Sequence, residues 1–188
     1  MKSEDTALPG VKILPPARFG DHRGFFAETY NRRVYEELGI NVEFVQDNHS
    51  LSAAAGTVRG LHFQAPPHAQ AKLVRCGRGA IFDVAVDIRK GSPTYSQWVG
   101  YELSAENGAQ LYVPVGFAHG FVTLLPDCEI IYKCSDYYAP ETEGAVHWDD
   151  PAIGIDWPLE CNAILSGKDA DSPLLSNLNS PFIWEGRA

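Results

Sequence analysis

A chain of 188 residues, 45% hydrophobic and 21% charged, is long enough for one domain (1–188) with a sizeable core and too apolar for extended disorder. Its formal net charge of −9 and pI near 5.0 argue against nucleic acid or an acidic membrane as partner, while leaving room for a few Arg and Lys to converge on a small anion. The acidic, Pro-Gly-broken start "MKSEDTALPG" does not read as a signal peptide, and no apolar run approaches the ~18 residues of a membrane span, so a soluble cytoplasmic protein is expected.

In chain order, "VKIL" and "GFFAETY" read as strands, and "NRRVYEELG" as one short helix. Asn31 can cap that helix, Val34, Tyr35 and Leu38 form its apolar stripe, and Gly39 can end it. "VEFVQDNHS", "TVRGLHFQ", "AKLVRC", "AIFDVAVDI", "SQWVGYELS", "AQLYVPV", "HGFVTLL" and "EIIYKCSDYY" follow as further strands between Gly, Pro, Asn and Ser turns. In "AIFDVAVDI", Phe82, Val84, Val86 and Ile88 share one face, with Asp83 and Asp87 on the other. Many strands and almost no helix predict an all-β sandwich, jelly roll or barrel. After Ala139 the pattern becomes Pro- and Asp-rich irregular chain, with Trp148 and Trp157 to pack it over the sheets, and the last segment is expected to fray at its end.

Several strands carry polar residues that an apolar core does not need. Period two puts Gln46 and Asn48 on one face, which suits either a hydrogen-bonding lining or a solvated exterior. Strict alternation sends Arg59 and His62 to opposite faces, but a bulge at Gly60 would bring both to one side. Lys72 shares a face with Gln70 and Val74, and an inward Lys calls for an oxyanion or carboxylate nearby. His119 lies in a Gly-flanked strand between two Phe, Tyr132 lies in a later strand, and Lys168 sits beside Asp169, a residue able to orient a histidine. Taken singly, His62 would more often be a satisfied core histidine than a catalyst.

Negative signals narrow the chemistry. The histidines are scattered with no H-x-H, which disfavours a metal-holding barrel. Cys76, Cys128, Cys134 and Cys161 form no CxxC and read as reduced thiols. G-x-S-x-G, G-x-G-x-x-G and the P-loop pattern are all missing.

Taken in order, "GDHRGFFAETYN", "FVQDNHS", "RGLHFQ", "QAKLVRC", "GAIFDVAVDIRKGSPTYSQWVG", "LSAENGAQLYVPVGFAHGFVTL", "IYKCSDYY" and "KDADSPLL" resemble the dTDP-4-dehydrorhamnose 3,5-epimerase family, from about residue 8 to about residue 175. The resemblance implies a cupin-type double-stranded β-helix (jelly roll) and a metal-free, cofactor-free epimerase of dTDP-L-rhamnose synthesis. Its substrate would be dTDP-4-dehydro-6-deoxy-D-glucose, inverted at C3 and C5 through enolates. By the same resemblance His62 is the base in a dyad with Asp169, Lys72 holds the enolate oxygen, Tyr132 returns a proton and His119 lines the sugar site. Arg23, Glu28, Gln46, Asn48, Arg59, Glu143 and Lys168 would hold the ligand, with Arg23 and Arg59 on the pyrophosphate and Phe26 and Tyr138 stacking on the thymine. The family's homodimers would let Arg23, Phe26 and Glu28 reach into a partner's site. Alternatives are a single-centre epimerase of another nucleotide 4-keto-deoxysugar, a non-catalytic nucleotide-sugar-binding cupin, and a metal-dependent cupin. The tail "NLNSPFIWEGRA" runs past the resemblance.

Overall fold

Alternating apolar residues over short runs, cut by turn-forming Gly and Pro, give strands in the computed structural model of the protein, which describes residues 2–186. The first half of the chain contributes β1 (Glu4–Asp5), β2 (Lys12–Leu14), β3 (Arg18–Asp21), β4 (Gly24–Ala27), α1 (Arg32–Glu37), β5 (Gln46–Ser52), β6 (Val58–Gln64) and β7 (Lys72–Arg78). The second half contributes β8 (Ala80–Asp87), β9 (Trp98–Ser104), β10 (Gln110–Val113), β11 (Phe117–Thr123), β12 (Cys128–Cys134), β13 (Glu143–Ala145) and α2 (Gly167–Ala170). Two antiparallel sheets result, in the orders β1-β2-β10-β7-β12-β5 and β13-β6-β11-β8-β9. Strands β3 and β4 form a separate two-stranded arm. This is a cupin-like β-sandwich, as the sequence predicts.

Three apolar clusters explain the layering. Val74, Ile81, Ala85, Leu111, Phe121 and Ile130 fill the space between the sheets. The outer face of the six-stranded sheet is covered by α1 through Tyr35, with Ile40, Leu73 and Tyr112 around it. The outer face of the five-stranded sheet (Leu61, Phe63, Val84, Val86, Ile88) is covered by the irregular C-terminal chain through Ile153, Ile155, Leu175 and Phe182. Both faces of β8 are therefore buried, and Asp83 and Asp87 point between the sheets without reaching water. Trp157 packs edge-on against Phe82 at 6.3 Å, over the five-stranded sheet as expected, and donates its indole N–H to the carbonyl of Trp148, whose ring lies 6.1 Å from its own.

Asn31 caps α1 by accepting the Arg33 N–H at 3.2 Å, and Gly39 follows the helix at φ +81°. The expectation of a single helix needs correction, because α2 forms over Gly167–Ala170 within the segment read as irregular. Its cap is Ser166, whose hydroxyl accepts the Asp169 N–H at 3.1 Å. The strand in "GFFAETY" stops at Ala27, and the Thr29 carbonyl beyond it accepts from the Tyr35 hydroxyl and the Gln110 amide. The strand in "VEFVQDNHS" begins only at Gln46, since Phe44 packs edge-on against Tyr30 at 5.4 Å on the outer face.

The tail is strapped down as far as Trp184, and the fraying expected at its very end falls on residues outside those described. The Lys90 N–H donates to the Phe182 carbonyl and the Trp184 N–H to the Lys90 carbonyl, and the Arg89 guanidinium lies 4.3 Å from the ring centres of both Phe117 and Trp184. All four cysteines are free thiols, of which only Cys161 is exposed.

Candidate active site

Strand β6 pairs with β11 through a register shift: His62 lies opposite His119 and Arg59 opposite Phe121. Two residues on β6, Gly60 and Leu61, thus lie against one on β11, Gly120, which is the bulge that Gly60 makes possible. It turns Arg59 and His62 to the same interior side. The backbones are so close there that a Cβ on Gly60 would fall 2.5 Å from the Gly120 Cα.

Two adjoining cavities open between the sheets. The larger, about 430 Å³, is walled by Arg59, His62, His119, Phe121, Tyr132, Lys168 and Asp169. The smaller, about 100 Å³, is walled by Gln46, Asn48, Lys72, Tyr138 and Glu143, and His62 and Tyr132 wall both. His62 comes from the five-stranded sheet and Tyr132 from the six-stranded sheet, so they face one another across the shared space. Arg23 and Phe26 lie elsewhere, on the exposed arm, where Arg23 pairs with Asp21, and Glu28 beyond it accepts from the Asn31 amide.

His62 Nε2–H donates to Asp169 Oδ1 at 2.5 Å, which leaves Nδ1 as the basic nitrogen. Asp169 is buried, and its second oxygen accepts the Ser166 hydroxyl at 2.8 Å. Burial pulls the His62 imidazole below its ordinary value of 6.5, and the Lys72 charge adds to this against the opposing pull of Asp169. The ring is therefore neutral at pH 7, the form a base requires. Burial likewise lowers the Lys72 ammonium, opposed by Cys134, Asp83 and Glu143. Among the described residues no carboxylate lies within ion-pair distance of its Nζ, so this amine is uncommitted, and an oxyanion bound beside it would favour its charged form. Burial above all raises the Tyr132 phenol, which keeps its proton.

The rim is a connected network. Lys168 Nζ lies 2.6 Å from Glu143, which also accepts the Tyr138 hydroxyl at 3.1 Å. Burial pushes the Glu143 carboxyl up, but those hydrogen bonds outweigh it and hold the group below its usual range. Gln46 accepts the Tyr138 N–H and donates to Asn48, so the carboxamide face is interior lining. Arg59 donates to the Ser52 hydroxyl and the Leu51 carbonyl on the edge strand β5.

Sequence reasoning missed three supports. Asp83 accepts His119 Nε2–H at 2.8 Å, and its other oxygen is buried with no partner among the described residues. A carboxylate interrupting an otherwise apolar strand was the signal for it. Gln64 holds the loop before β13 by donating to the Tyr137 carbonyl and accepting the Ala139 N–H. Ser166 precedes Asp169 by three, the spacing of a helix cap.

The sign of the pH dependence follows from these environments. Activity needing neutral His62 falls as pH drops through a pKa below 6.5, and activity needing protonated Tyr132 falls only above pH 10.0. Asp169→Asn removes a carboxylate that raises the His62 pKa, so the acid limb of kcat/KM should move to still lower pH while kcat drops. An acid limb moving upward would contradict the dyad.

A partly buried His held by Asp169, a Tyr opposite it and a Lys with no carboxylate partner give this cupin cavity groups suited to moving protons on a carbon acid. The profile of the dTDP-4-dehydrorhamnose 3,5-epimerase family matches residues 5–177, and the chain belongs to that family. It is 59% identical over 171 residues to the dTDP-4-dehydrorhamnose 3,5-epimerase of Salmonella typhimurium, covering 90% of this chain and 93% of that one. The Legionella pneumophila dTDP-6-deoxy-D-glucose-3,5-epimerase, solved with dTDP-4-keto-L-rhamnose, superposes with a TM-score of 0.91 at 49% identity, over 95% of this chain and 94% of that one. The Bacillus anthracis dTDP-4-dehydrorhamnose 3,5-epimerase, solved with TDP and PPi, gives 0.89 at 53% identity, over 92% and 98%. The chain is thus a carbohydrate epimerase.

Proposed function

We propose that the chain, as one domain, converts dTDP-4-dehydro-6-deoxy-D-glucose to dTDP-4-dehydro-L-rhamnose in the cytoplasm, with neither metal nor cofactor. The C4 ketone acidifies the protons on C3 and C5. His62 Nδ1 removes each in turn, with Asp169 fixing the tautomer. The electron pair moves onto the C4 oxygen, where Lys72 stabilises the enolate. Tyr132 returns a proton from the opposite face of the ring, which inverts the carbon; water then takes the proton from His62 and reprotonates Tyr132 before the second carbon reacts. Arg59 takes the pyrophosphate, Tyr138 the thymine, and Gln46, Asn48, His119, Glu143 and Lys168 the remaining ligand contacts.

One observation carries this reading: His62 and Tyr132, donated by facing sheets, both wall the two adjoining cavities, and Lys72 lines the smaller of them. A ring held there has base and acid on opposite faces. Among the described residues no group of three or more His, Cys, Asp and Glu could hold a metal.

The arm completes the proposal. Phe19, Phe25 and Phe26 are 67, 62 and 70% exposed on a hairpin joined to neither large sheet. A homodimer in which the arm's Arg23 and Phe26, with Glu28, reach the partner's nucleotide site accounts for both the exposure and their distance from the chain's own cavity. Analytical ultracentrifugation reads this as a mass twice that of the 20.6 kDa chain, and a monomer at micromolar concentration would refute it.

Incubation with the ketosugar in D₂O, with a chelator present, tests the chemistry. Deuterium at both C3 and C5 is expected. Label at one carbon alone would identify a single-centre epimerase, and label at neither would refute the substrate.

A further inference from the structure

A two-stranded hairpin is marginal in water on its own, so something must set the direction of the β3–β4 arm. No main-chain hydrogen bond ties Arg18–Ala27 to either large sheet among the described residues. The side chain of Arg18 does tie it. Its guanidinium donates from Nη1 to the Glu106 carbonyl at 2.5 Å and from Nη2 to the Ala105 carbonyl at 2.8 Å. The same plane lies 4.3 Å from the ring centre of Phe25, across the hairpin. Gly108, at φ +62°, makes room for it, since a Cβ there would fall 2.3 Å from Arg18 Nη2. Arg18 Nε is buried without a partner, so the group is enclosed on this side as well.

The register fixes what this clamp does. Arg18 lies opposite Ala27 and Gly20 opposite Phe25, which puts Arg18 and Phe25 on one face of the arm. Phe19 lies opposite Phe26, on the other face. Holding the first face against the turn at 105–108 therefore points Phe26 outward, with Arg23 at the tip.

We propose that Arg18 is a positioning residue: clamped on the 105–108 turn and stacked on Phe25, it fixes the arm at the angle from which Arg23 and Phe26 enter the partner's nucleotide site. This rests on the arm-exchanged dimer of the preceding section. The role belongs to a guanidinium, since an ammonium offers neither a plane to stack on Phe25 nor two donors in a fixed fork. An unclamped arm must be ordered each time ligand binds. If it then spends about a tenth of its time in place, apparent affinity falls about tenfold while the chemical step is untouched.

The test measures three quantities on the full chain: the Kd of dTDP by calorimetry, steady-state kcat and KM, and the rate of chymotrypsin cleavage after Phe25 and Phe26. Arg18→Ala and Gly108→Ala, which attack the clamp from its two sides, should each raise Kd and KM about tenfold with kcat within about twofold, and accelerate cleavage. Arg18→Lys should follow Arg18→Ala. Phe25→Leu alters only the arm, so it should raise Kd and accelerate cleavage after Phe26, the site it leaves intact, even if the other variants fold poorly. Unchanged cleavage and Kd in Arg18→Ala would overturn the clamp. Faster cleavage with unchanged Kd would keep the clamp but remove the arm from the nucleotide site, and the proposal would fall with that premise.

Discussion

Replacing His62 by Gln is expected to lower kcat by about 10²–10⁴ and to abolish solvent-deuterium entry at both C3 and C5, the span that a positioned general base supplies. In the proposed mechanism both carbons fail together, because one imidazole would serve both, each proton lying next to the same ketone. Gln is the informative replacement. Asp169 is buried, and removing its partner outright would leave a carboxylate oxygen without a donor, at a cost of about 1–3 kcal/mol. The Gln amide nitrogen reaches the position of the His62 Nε2 that bonds Asp169, so it can still donate there, while no longer accepting a proton at neutral pH. The variant should therefore melt near the parent temperature and bind dTDP normally. Retained exchange at either carbon would show that a second base acts there, and His119, opposite His62 and held by Asp83, would be the group to replace next.

Gly60→Ala should be as damaging without touching any group that does chemistry. The added methyl would lie 2.5 Å from Gly120 Cα and 2.9 Å from the His119 carbonyl oxygen, both backbone atoms that cannot swing aside. Gly60 also sits at φ +131°, where side-chain-bearing residues are strained. Overpacking and backbone strain together cost about 3 kcal/mol or more, a fall in Tm of roughly 6–12 °C for a chain of this size. The clash falls between the strands that carry His62 and His119, so relaxing it displaces both imidazoles and activity should fall further than stability. Gly39→Ala separates the two causes: Gly39 has φ +81° but open space around it, so strain alone operates there. Equal effects at the two positions would mean that close approach contributes nothing at Gly60.

That glycine also marks where sequence reasoning reached its limit. Alternation alone left Arg59 and His62 on opposite faces, and whether they met depended on a bulge that a Gly permits without requiring. The close pass of Gly120 decides it, and Gly120 is distant in the chain. The same holds for His62 with Asp169 and for His119 with Asp83, since spacing along a sequence carries no information about which distant side chains meet.

Other features were settled locally. Asn31 and Gly39 set the ends of α1 by capping chemistry confined to one helical turn. Period two put Gln46 with Asn48 and Phe82 with Val84, Val86 and Ile88, and the composition fixed a strand-rich fold. The order of motifs, read as a resemblance, identified the family. The period could not say that Asp83 and Asp87 face an interior, because a strand shows two faces and only the layers packed on each decide which is wet. Nor did it reveal α2, whose four residues are too few for a helical stripe and are held by Ser166 and by the contact of Asp169 with His62. What the sequence by itself determined was ten of the strands, the first helix and the residue types the chemistry needs, while the short strands β1, β3 and β13 went unread. The tertiary structure alone decided which of those residues share a cavity and that Arg23, Phe26 and Glu28 stand outside it, because the contacts that place them join segments far apart in the chain.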